Sequence, residues 1–129
     1  MKTSLIALAF LLLITIPFAI RADEACKVLL NWHSVPESVR NTLNQDIGPI
    51  AERGGAFNPT DVFSDDTPHN RFFGACLRGN RIVVAIERGG MASAFELVEF
   101  VGDKKIRQWY RPTPSGPFTP AVAVPPAGR

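Results

Sequence analysis

The sequence predicts an α+β domain in which one N-terminal helix packs on an antiparallel sheet of four to five strands, in the order β-α-β-β-β-β. Three observations predict this fold. Residues 71–111 contain four strand-like segments separated by turn pairs, an amphipathic helical pattern precedes them, and two cysteines can join the two parts. The domain is expected to occupy residues 23–111, between a signal peptide at 1–22 and a proline-rich tail at 112–129.

Four strands are predicted in the meander: Arg71–Arg78, Arg81–Arg88, Ala92–Val101 and Lys104–Arg111. Three residue pairs separate them, and each pair tolerates the positive φ of a two-residue hairpin turn: Gly79-Asn80, Gly89-Gly90 and Gly102-Asp103. Turns of this length set the pairing register, and the register decides which side chains share a face.

This register predicts one apolar core face and one mixed face. The core face is expected to carry Phe73, Ala75, Leu77, Ile82, Val84, Ile86, Phe95, Leu97, Val101, Ile106 and Tyr110. The mixed face is expected to carry Phe72, Cys76, Arg78, Arg81, Val83, Ala85, Glu87, Glu96, Val98, Phe100, Arg107 and Trp109.

Residues 1–22 have the pattern of a secretory signal peptide, with Lys2 before an apolar run from Leu5 to Ile16 and Ala22 at a plausible cleavage point. An uncleaved anchor is the alternative, but the run is shorter than the roughly 20 apolar residues of a membrane span. Cleavage removes two of the 14 basic residues and leaves 12 against 12 acidic ones. We therefore expect an exported protein, periplasmic or extracellular, without a stable membrane span and without nucleic acid as a partner.

Cys26 and Cys76 are predicted to form a disulfide, since disulfides persist in the compartments that exported proteins reach. The disulfide closes a loop of about 50 residues, and the resulting loss of entropy in the unfolded chain should stabilise the fold by about 4 kcal/mol. A redox or nucleophilic role is the alternative, but the chain has no Cys-x-x-Cys motif and no evident base beside either cysteine.

An amphipathic helix is predicted after Ser34, because Ser34 and Glu37 have the spacing of a capping box. Apolar residues then recur every three or four positions, at Val35, Val39, Leu43, Ile47 and Ile50. Gly48-Pro49 should end this helix, or kink it before one further turn through Arg53. The short apolar segment 26–32 is predicted as a strand beside the first meander strand, with a helical turn as the alternative.

The segment 54–70 is long for a connection in a small domain, and long loops are often functional. Phe57 and Phe63 are its candidate binding residues. Four side chains of the loop could ligate Ca²⁺ or, with His33, a transition metal: Asp61, Asp65, Asp66 and His69. Their spacing matches no EF-hand, and aspartates are common in loops because they accept hydrogen bonds from nearby N–H groups. No other cofactor is indicated.

The mixed face is the second candidate binding surface. Its centre is apolar and its rim charged, as in many interaction surfaces, with the candidate residues Val83, Val98, Phe100, Arg107 and Trp109. Alternatively, the proline-rich tail folds back onto Trp109 and covers this face. The tail contains six prolines between residues 112 and 126, so extended or disordered structure is expected for it.

The order of one strand, one helix and four meander strands resembles the architecture of cystatin-like domains. The Gln-x-Val-x-Gly and Pro-Trp hairpins of that family are absent, and the corresponding turns are Arg78-Gly79-Asn80-Arg81 and Gly102-Asp103. The resemblance therefore implies a fold and not protease inhibition. The sequence favours a non-catalytic module that binds a protein or envelope component through the mixed face, the 54–70 loop or both. A small-ligand or metal-binding domain using the same loop, or a small hydrolase without a recognisable motif, is the alternative.

Overall fold

The structure, a computed structural model, describes residues 25–62, 65–90 and 94–127. It contains one α-helix, α1 (Glu37–Ile47), and six strands: β1 (Lys27–Leu29), β2 (Ile50–Ala51), β3 (Asn70–Arg78), β4 (Arg81–Arg88), β5 (Ala94–Val101) and β6 (Lys104–Pro112). The strands form one sheet in the order β1-β3-β4-β5-β6, and β2 pairs in parallel with the start of β3. The predicted α+β fold is confirmed, whereas the predicted signal peptide lies outside the described residues.

Helix α1 begins later than its sequence pattern predicts. Trp32–Ser34 forms a separate 3-10 turn, in which the Asn31 side chain accepts a hydrogen bond from the His33 N–H group at 2.8 Å. The helix follows from Pro36, which supplies no side-chain cap, so the predicted capping box of Ser34 and Glu37 does not form.

The helix ends where proline and glycine predict its end. Gly48 adopts a φ of +86° and donates its N–H to the Asn44 carbonyl at 3.0 Å. No further helical turn follows, because Ile50 and Ala51 pair with the first residues of β3. The chain therefore leaves the helix directly into the sheet.

The core between α1 and the sheet lies on one face, which we call the helix face. Val35, Val39 and Leu43 of the predicted apolar stripe are at most 1% exposed. The buried cluster that they join consists of Leu29, Trp32, Val35, Val39, Leu43, Phe72, Ala75, Ile82, Val84, Ile86, Val98 and Phe100. An amphipathic stripe and one sheet face thus bury each other, as the sequence predicts.

The predicted register between β4 and β5 is wrong. Arg88 pairs with Ala94 across a connection of residues 89–93, so Val84 lies opposite Val98. A two-residue turn at Gly89-Gly90 would have placed Phe95 there. The shift in pairing is an odd number of residues and therefore exchanges the two faces of β5. Val98 and Phe100 belong to the helix-face cluster, and Phe95 and Leu97 belong to a cluster on the other side.

Gly89 and Gly90 do not form a two-residue turn, because their N–H groups bind the 54–70 loop. They donate to the carbonyl oxygens of His69 at 2.7 Å and Pro59 at 3.0 Å. A Cβ atom on Gly89 would lie 2.1 Å from the Asn58 carbonyl oxygen, so only glycine permits this approach. Gly89 is therefore required by a tertiary contact rather than by a hairpin turn, whereas Gly90 has a φ of +132°, which favours glycine.

A β-bulge in β3 exchanges the sheet faces on which two neighbouring phenylalanines lie. Pairing passes from Phe72 with Ile86 to Gly74 with Ala85, which leaves Phe73 as the extra residue. Phe72 is therefore fully buried on the helix face, and Phe73 packs against the opposite cluster. This is the reverse of the prediction from simple alternation.

A second irregularity lies between β5 and β6, where Phe100 pairs with Lys105 and Glu99 pairs with Arg107. The extra residue is Ile106, which is 45% exposed instead of buried. Tyr110, also predicted in the core, is 59% exposed on this edge strand.

The opposite side of the sheet, which we call the tail face, is covered by residues 113–127. Its buried cluster consists of Cys76, Val83, Ala85, Phe95, Leu97, Trp109, Phe118 and Ala123. Phe118 and Ala123 come from the proline-rich tail, and Pro120–Ala123 forms a short 3-10 helix. Outside this 3-10 helix the described part of the tail is irregular, and its apolar anchors lie against the sheet.

The predicted disulfide between Cys26 and Cys76 is present, with Cα atoms 5.4 Å apart. Val28 pairs with Cys76 in the antiparallel ladder, so the disulfide fixes the edge strand β1 to β3. Among the described residues, no helix has the length and apolar content needed to cross a membrane.

Candidate functional site

The candidate residues of the mixed face do not form one surface. Val98 and Phe100 lie at most 1% exposed on the helix face. Val83 and Trp109 are buried on the tail face, and Arg107 stays 44% exposed beside them. The longer connection before β5 exchanges the two faces of that strand. The extra residue in β6 exchanges the faces once more, which returns the rest of β6 to the faces predicted for it. Arg107 and Trp109 therefore share the face predicted for them, whereas Val98 and Phe100 do not.

Two contacts hold the tail on the apolar centre of the tail face, and the closer one joins Phe118 to Gly74. A Cβ atom on Gly74 would lie 2.4 Å from the Phe118 ring, so the ring occupies the space above this glycine. The Phe118 and Phe73 rings have centroids 6.1 Å apart in an edge-on arrangement. The Arg111 side chain donates to the Val124 carbonyl at 2.5 Å and holds the tail at a second point.

The 54–70 loop forms one wall of an open cleft of about 490 Å³. We call it the loop cleft. The other walls are residues 47–49, where α1 ends, and residues 88–90, where β4 ends. The predicted metal-site residues Asp61, Asp65, Asp66 and His69 all line it. The loop is thus placed at one end of the sheet, beside the end of the helix.

Hydrogen bonds within the loop hold this wall in place. The Asn58 side chain accepts from the Thr60 N–H at 2.9 Å and donates to the Val62 carbonyl at 2.7 Å. The Asn58 N–H donates to the Pro68 carbonyl at 2.8 Å, which joins the two arms of the loop. One ring nitrogen of His69, Nδ1, lies 3.0 Å from the Thr60 carbonyl oxygen.

Buried polar groups attach the cleft to the core. Asn70, which is 4% exposed, donates to the Ile47 carbonyl at 2.7 Å and so satisfies a carbonyl at the end of α1. Arg88 is paired with Glu96, whose side chain is 4% exposed. The Arg88 charge in the cleft wall is therefore already neutralised.

The carboxylates of the cleft face solvent. Hydrogen bonds from the Thr67 side chain and N–H group lower the pKa of Asp65 below its ordinary value of 3.8, with a smaller contribution from His69. Asp61 and Asp66 are also exposed. The cleft therefore presents negative charge at neutral pH.

The predicted metal ligands line the same cleft without converging. Within residues 25–62, 65–90 and 94–127, no three His, Cys, Asp or Glu side chains are grouped so that they could hold an ion. Asp65 accepts the Thr67 N–H at 2.9 Å, which is the local loop bond expected of an aspartate. The geometry adds no support to the metal hypothesis.

The aromatic candidates of the loop have different positions. Phe57 lies half-buried under the Arg71 guanidinium, with 4.1 Å between the guanidinium carbon and the ring centroid. Arg71 also binds Glu87 at 2.5 Å and the Gly55 carbonyl at 3.2 Å. This contact ties the loop to the tail face and leaves Phe57 outside the cleft. Phe63 lies outside the described residues.

A row of charges crosses the other end of the tail face, and of its members the sequence predicted only Arg107 as a binding residue. It consists of Arg78, Arg81, Glu99 and Arg107, and we call it the arginine row. Arg78 lies directly opposite Arg81, and Glu99 lies opposite Arg107. The Arg-Gly-Asn-Arg turn was the available signal, because a two-residue turn places its flanking residues side by side. Glu99 could not be placed there without the correct register of β5.

Glu99 is the centre of this row and is 2% exposed. Its Oε1 accepts from Arg81 at 2.8 Å, and its Oε2 accepts from Nε and Nη2 of Arg107 at 2.9 and 2.6 Å. A carboxylate buried to this degree is retained only where charged donors satisfy it. A cavity of about 160 Å³ adjoins the row, between Arg78, Arg81 and Glu99 on the sheet and residues 120–125 of the tail.

Comparison of the chain with family models, curated proteins and solved structures found no match.

Proposed function

We propose that this protein is an exported, non-catalytic binding module, and that its loop cleft receives a basic segment of a partner protein. The cleft carries the proposal, because it combines a binding-site volume of about 490 Å³ with three exposed aspartates. Clefts of 300–1,000 Å³ are the usual size of ligand sites in proteins.

The charge of the lining favours a cationic group. Asp61, Asp65 and Asp66 contribute carboxylates, and the one arginine of the lining is paired with Glu96. Ile47, Pro49 and Pro68 supply apolar wall between them. A lysine or arginine side chain matches this combination, since its aliphatic stem packs on apolar surface while its charged end meets carboxylates.

The proposal of export is supported by the disulfide, which is compatible with an oxidising compartment. Mass spectrometry of the protein from its own host tests it. Cleavage after Ala22 is expected to give a chain that begins at Asp23 with Cys26 oxidised. A chain retaining residues 1–22 would show an anchor instead of a cleaved signal.

Binding is tested by calorimetric titration with a blocked peptide, acetyl-Gly-Lys-Gly-Lys-Gly-amide, and with its norleucine analogue. We expect saturable binding of the lysine peptide only. The double variant Asp61→Asn, Asp66→Asn should bind it about tenfold more weakly, as expected for the loss of two partly exposed ion pairs. Asp65 is left intact because its bonds to Thr67 belong to the loop.

A matched control separates the cleft from general attraction of positive charge. The variant Glu37→Gln, Asp103→Asn removes the same charge from two exposed positions outside the cleft. It should bind the lysine peptide like the wild type. Equal losses in both double variants, or equal binding of the norleucine peptide, would reject the loop cleft as the binding site.

The pH dependence is expected to follow the carboxylates. Because the pKa of Asp65 is lowered, its charge is present above its ordinary value of 3.8 and is lost only as the pH falls through the lower folded-state value. The contribution of Asp65 to lysine-peptide affinity should therefore persist down to its ordinary pKa of 3.8 and be lost only below it. The same titration measures this.

A further inference from the structure

The arginine row carries more positive charge than its one carboxylate neutralises. Arg81 and Arg107 share the single carboxylate of Glu99. Arg78 has no ion pair among the described residues, although it lies directly opposite Arg81. Like charges directly opposite each other in a sheet are unfavourable, so an external anion that binds between them is favoured. Three guanidinium groups against one carboxylate leave two positive charges uncompensated.

Glu99 also orients the two guanidinium groups that it binds. Each guanidinium has five N–H donors in a fixed planar arrangement. Arg81 gives one hydrogen bond to Glu99 and Arg107 gives two, so both retain donors directed elsewhere. Their side chains are 52% and 44% exposed, which leaves these donors accessible from solvent. A buried carboxylate thus positions exposed arginines for a second anion.

The cavity beside the row gives that anion a place. Arg78, Arg81 and the Glu99 carboxylate, whose charge is already offset by Arg81 and Arg107, line it from the sheet. Pro120, Ala123, Val124 and Pro125 of the tail line it from the opposite side. Residues 113–127 contain no charged side chain, so the tail wall neither competes for the arginines nor repels an anion. At about 160 Å³ the cavity is below the usual range for drug-sized ligands and is suited to one small group.

We propose that the arginine row and this cavity form a binding site for a phosphate monoester group. A dianion matches the two uncompensated charges, and the planar donor pairs of arginine match phosphate oxygens. The site shares no residue with the loop cleft, so neither site depends on the other.

The test is calorimetric titration of the oxidised protein with inorganic phosphate at pH 8 and constant ionic strength, with acetate as the monoanion. Phosphate should bind saturably and more tightly than acetate. Arg78→Gln should weaken phosphate binding about tenfold, as expected for the loss of a charge-assisted hydrogen bond. Because Arg78 is exposed, has no ion pair among the described residues and lies opposite Arg81, this variant should unfold at the same temperature as the wild type or slightly above it.

Two further variants make the test specific. Arg53→Gln removes the same charge after β2, at the other end of β3 from Arg78, and should not change phosphate affinity. Glu99→Gln keeps an oxygen that can accept from the guanidinium groups but removes the negative charge that competes for Arg81 and Arg107, so it should strengthen phosphate binding. Opposite signs for the glutamate and arginine variants are not expected from a purely structural role.

Three results would overturn the proposal. The first is phosphate affinity unchanged in Arg78→Gln. The second is an equal loss in Arg53→Gln, which would show nonspecific attraction by net charge. The third is acetate binding as tightly as phosphate, which would show a general anion site instead of a phosphate site.

Discussion

Helix α1 and the residue pair before it cover one face of the sheet with Val35, Val39 and Leu43, whereas residues 113–127 cover the other with Phe118 and Ala123. Both coverings bury apolar side chains to less than 10% exposure. The helix satisfies its own N–H groups through its backbone ladder. The tail covers its face without such a ladder, and it has fewer N–H groups to satisfy than a helix of the same length because its prolines have none.

The comparison teaches that covering a sheet face does not require regular structure. The tail needs one large anchor, Phe118, and a matching space, which Gly74 provides by having no side chain. Proline also restricts the unfolded chain, so fixing such a segment costs less conformational entropy than fixing a flexible one. An irregular segment can therefore cover a face where its anchor fits.

The largest effect is expected on the helix face. Phe100→Ala should lower the free energy of unfolding by about 3–5 kcal/mol, because it removes a fully buried ring between sheet and helix. Ile106→Ala, on a residue 45% exposed in β6, should change it by less than about 0.5 kcal/mol. Urea denaturation measures both. Similar small changes in both variants would contradict the register assigned to β5.

The tail face should give a smaller effect. Removing residues 113–129 should lower the free energy of unfolding by about 2–3 kcal/mol, less than a core Phe→Ala substitution, because the β-sheet and helix remain paired. Phe118→Ala should account for most of this loss. A dye that binds exposed apolar surface should bind the truncated protein more strongly. If the truncated protein were as stable as the full chain, burial of this face by the tail would contribute nothing to the free energy of unfolding.

The contact between Gly74 and Phe118 should show coupling of about 1–3 kcal/mol. Gly74→Ala in the full chain should destabilise by this amount, because its Cβ would overlap the Phe118 ring. In the truncated protein the same substitution should be neutral or stabilising by up to about 1 kcal/mol, since alanine is less flexible than glycine. A double-mutant cycle measures this change of sign. The same cost in both backgrounds would place the effect in β3 and not in the tail.

The tryptophans allow the two faces to be followed separately by fluorescence, and this effect is spectroscopic instead of energetic. Trp32 is 5% exposed on the helix face and Trp109 is 8% exposed on the tail face. In a Trp32→Phe background, truncation at residue 112 should shift the fluorescence of Trp109 to longer wavelength. In a Trp109→Phe background, Trp32 should show no shift. A shift of both would mean that the two faces do not respond independently.

Some of the candidate sites could be predicted from the sequence and some could not. The loop cleft has a local signal, because a long loop with three aspartates stands out in a small domain. Only two members of the arginine row are close together in the sequence. Arg78 and Arg81 are adjacent through a short turn, but Glu99 and Arg107 join them only when the pairing of three strands is known.

The sequence by itself determined the elements that depend on local patterns. The apolar stripe of α1, strand β1, the four meander strands, two of the three short turns and the disulfide partners follow from periodicity, turn residues and cysteine count, whereas β2 does not. Tertiary structure decided which way the side chains of β5 point. Gly89 and Gly90 bond to the 54–70 loop, and this contact lengthens the connection and exchanges the faces of the strand.

Tertiary structure also decided the position of the tail, since Phe118 finds its space only after Gly74 and the β3 bulge are in place. Alternation along a strand is a local property, but register and docking depend on contacts between residues far apart in the chain.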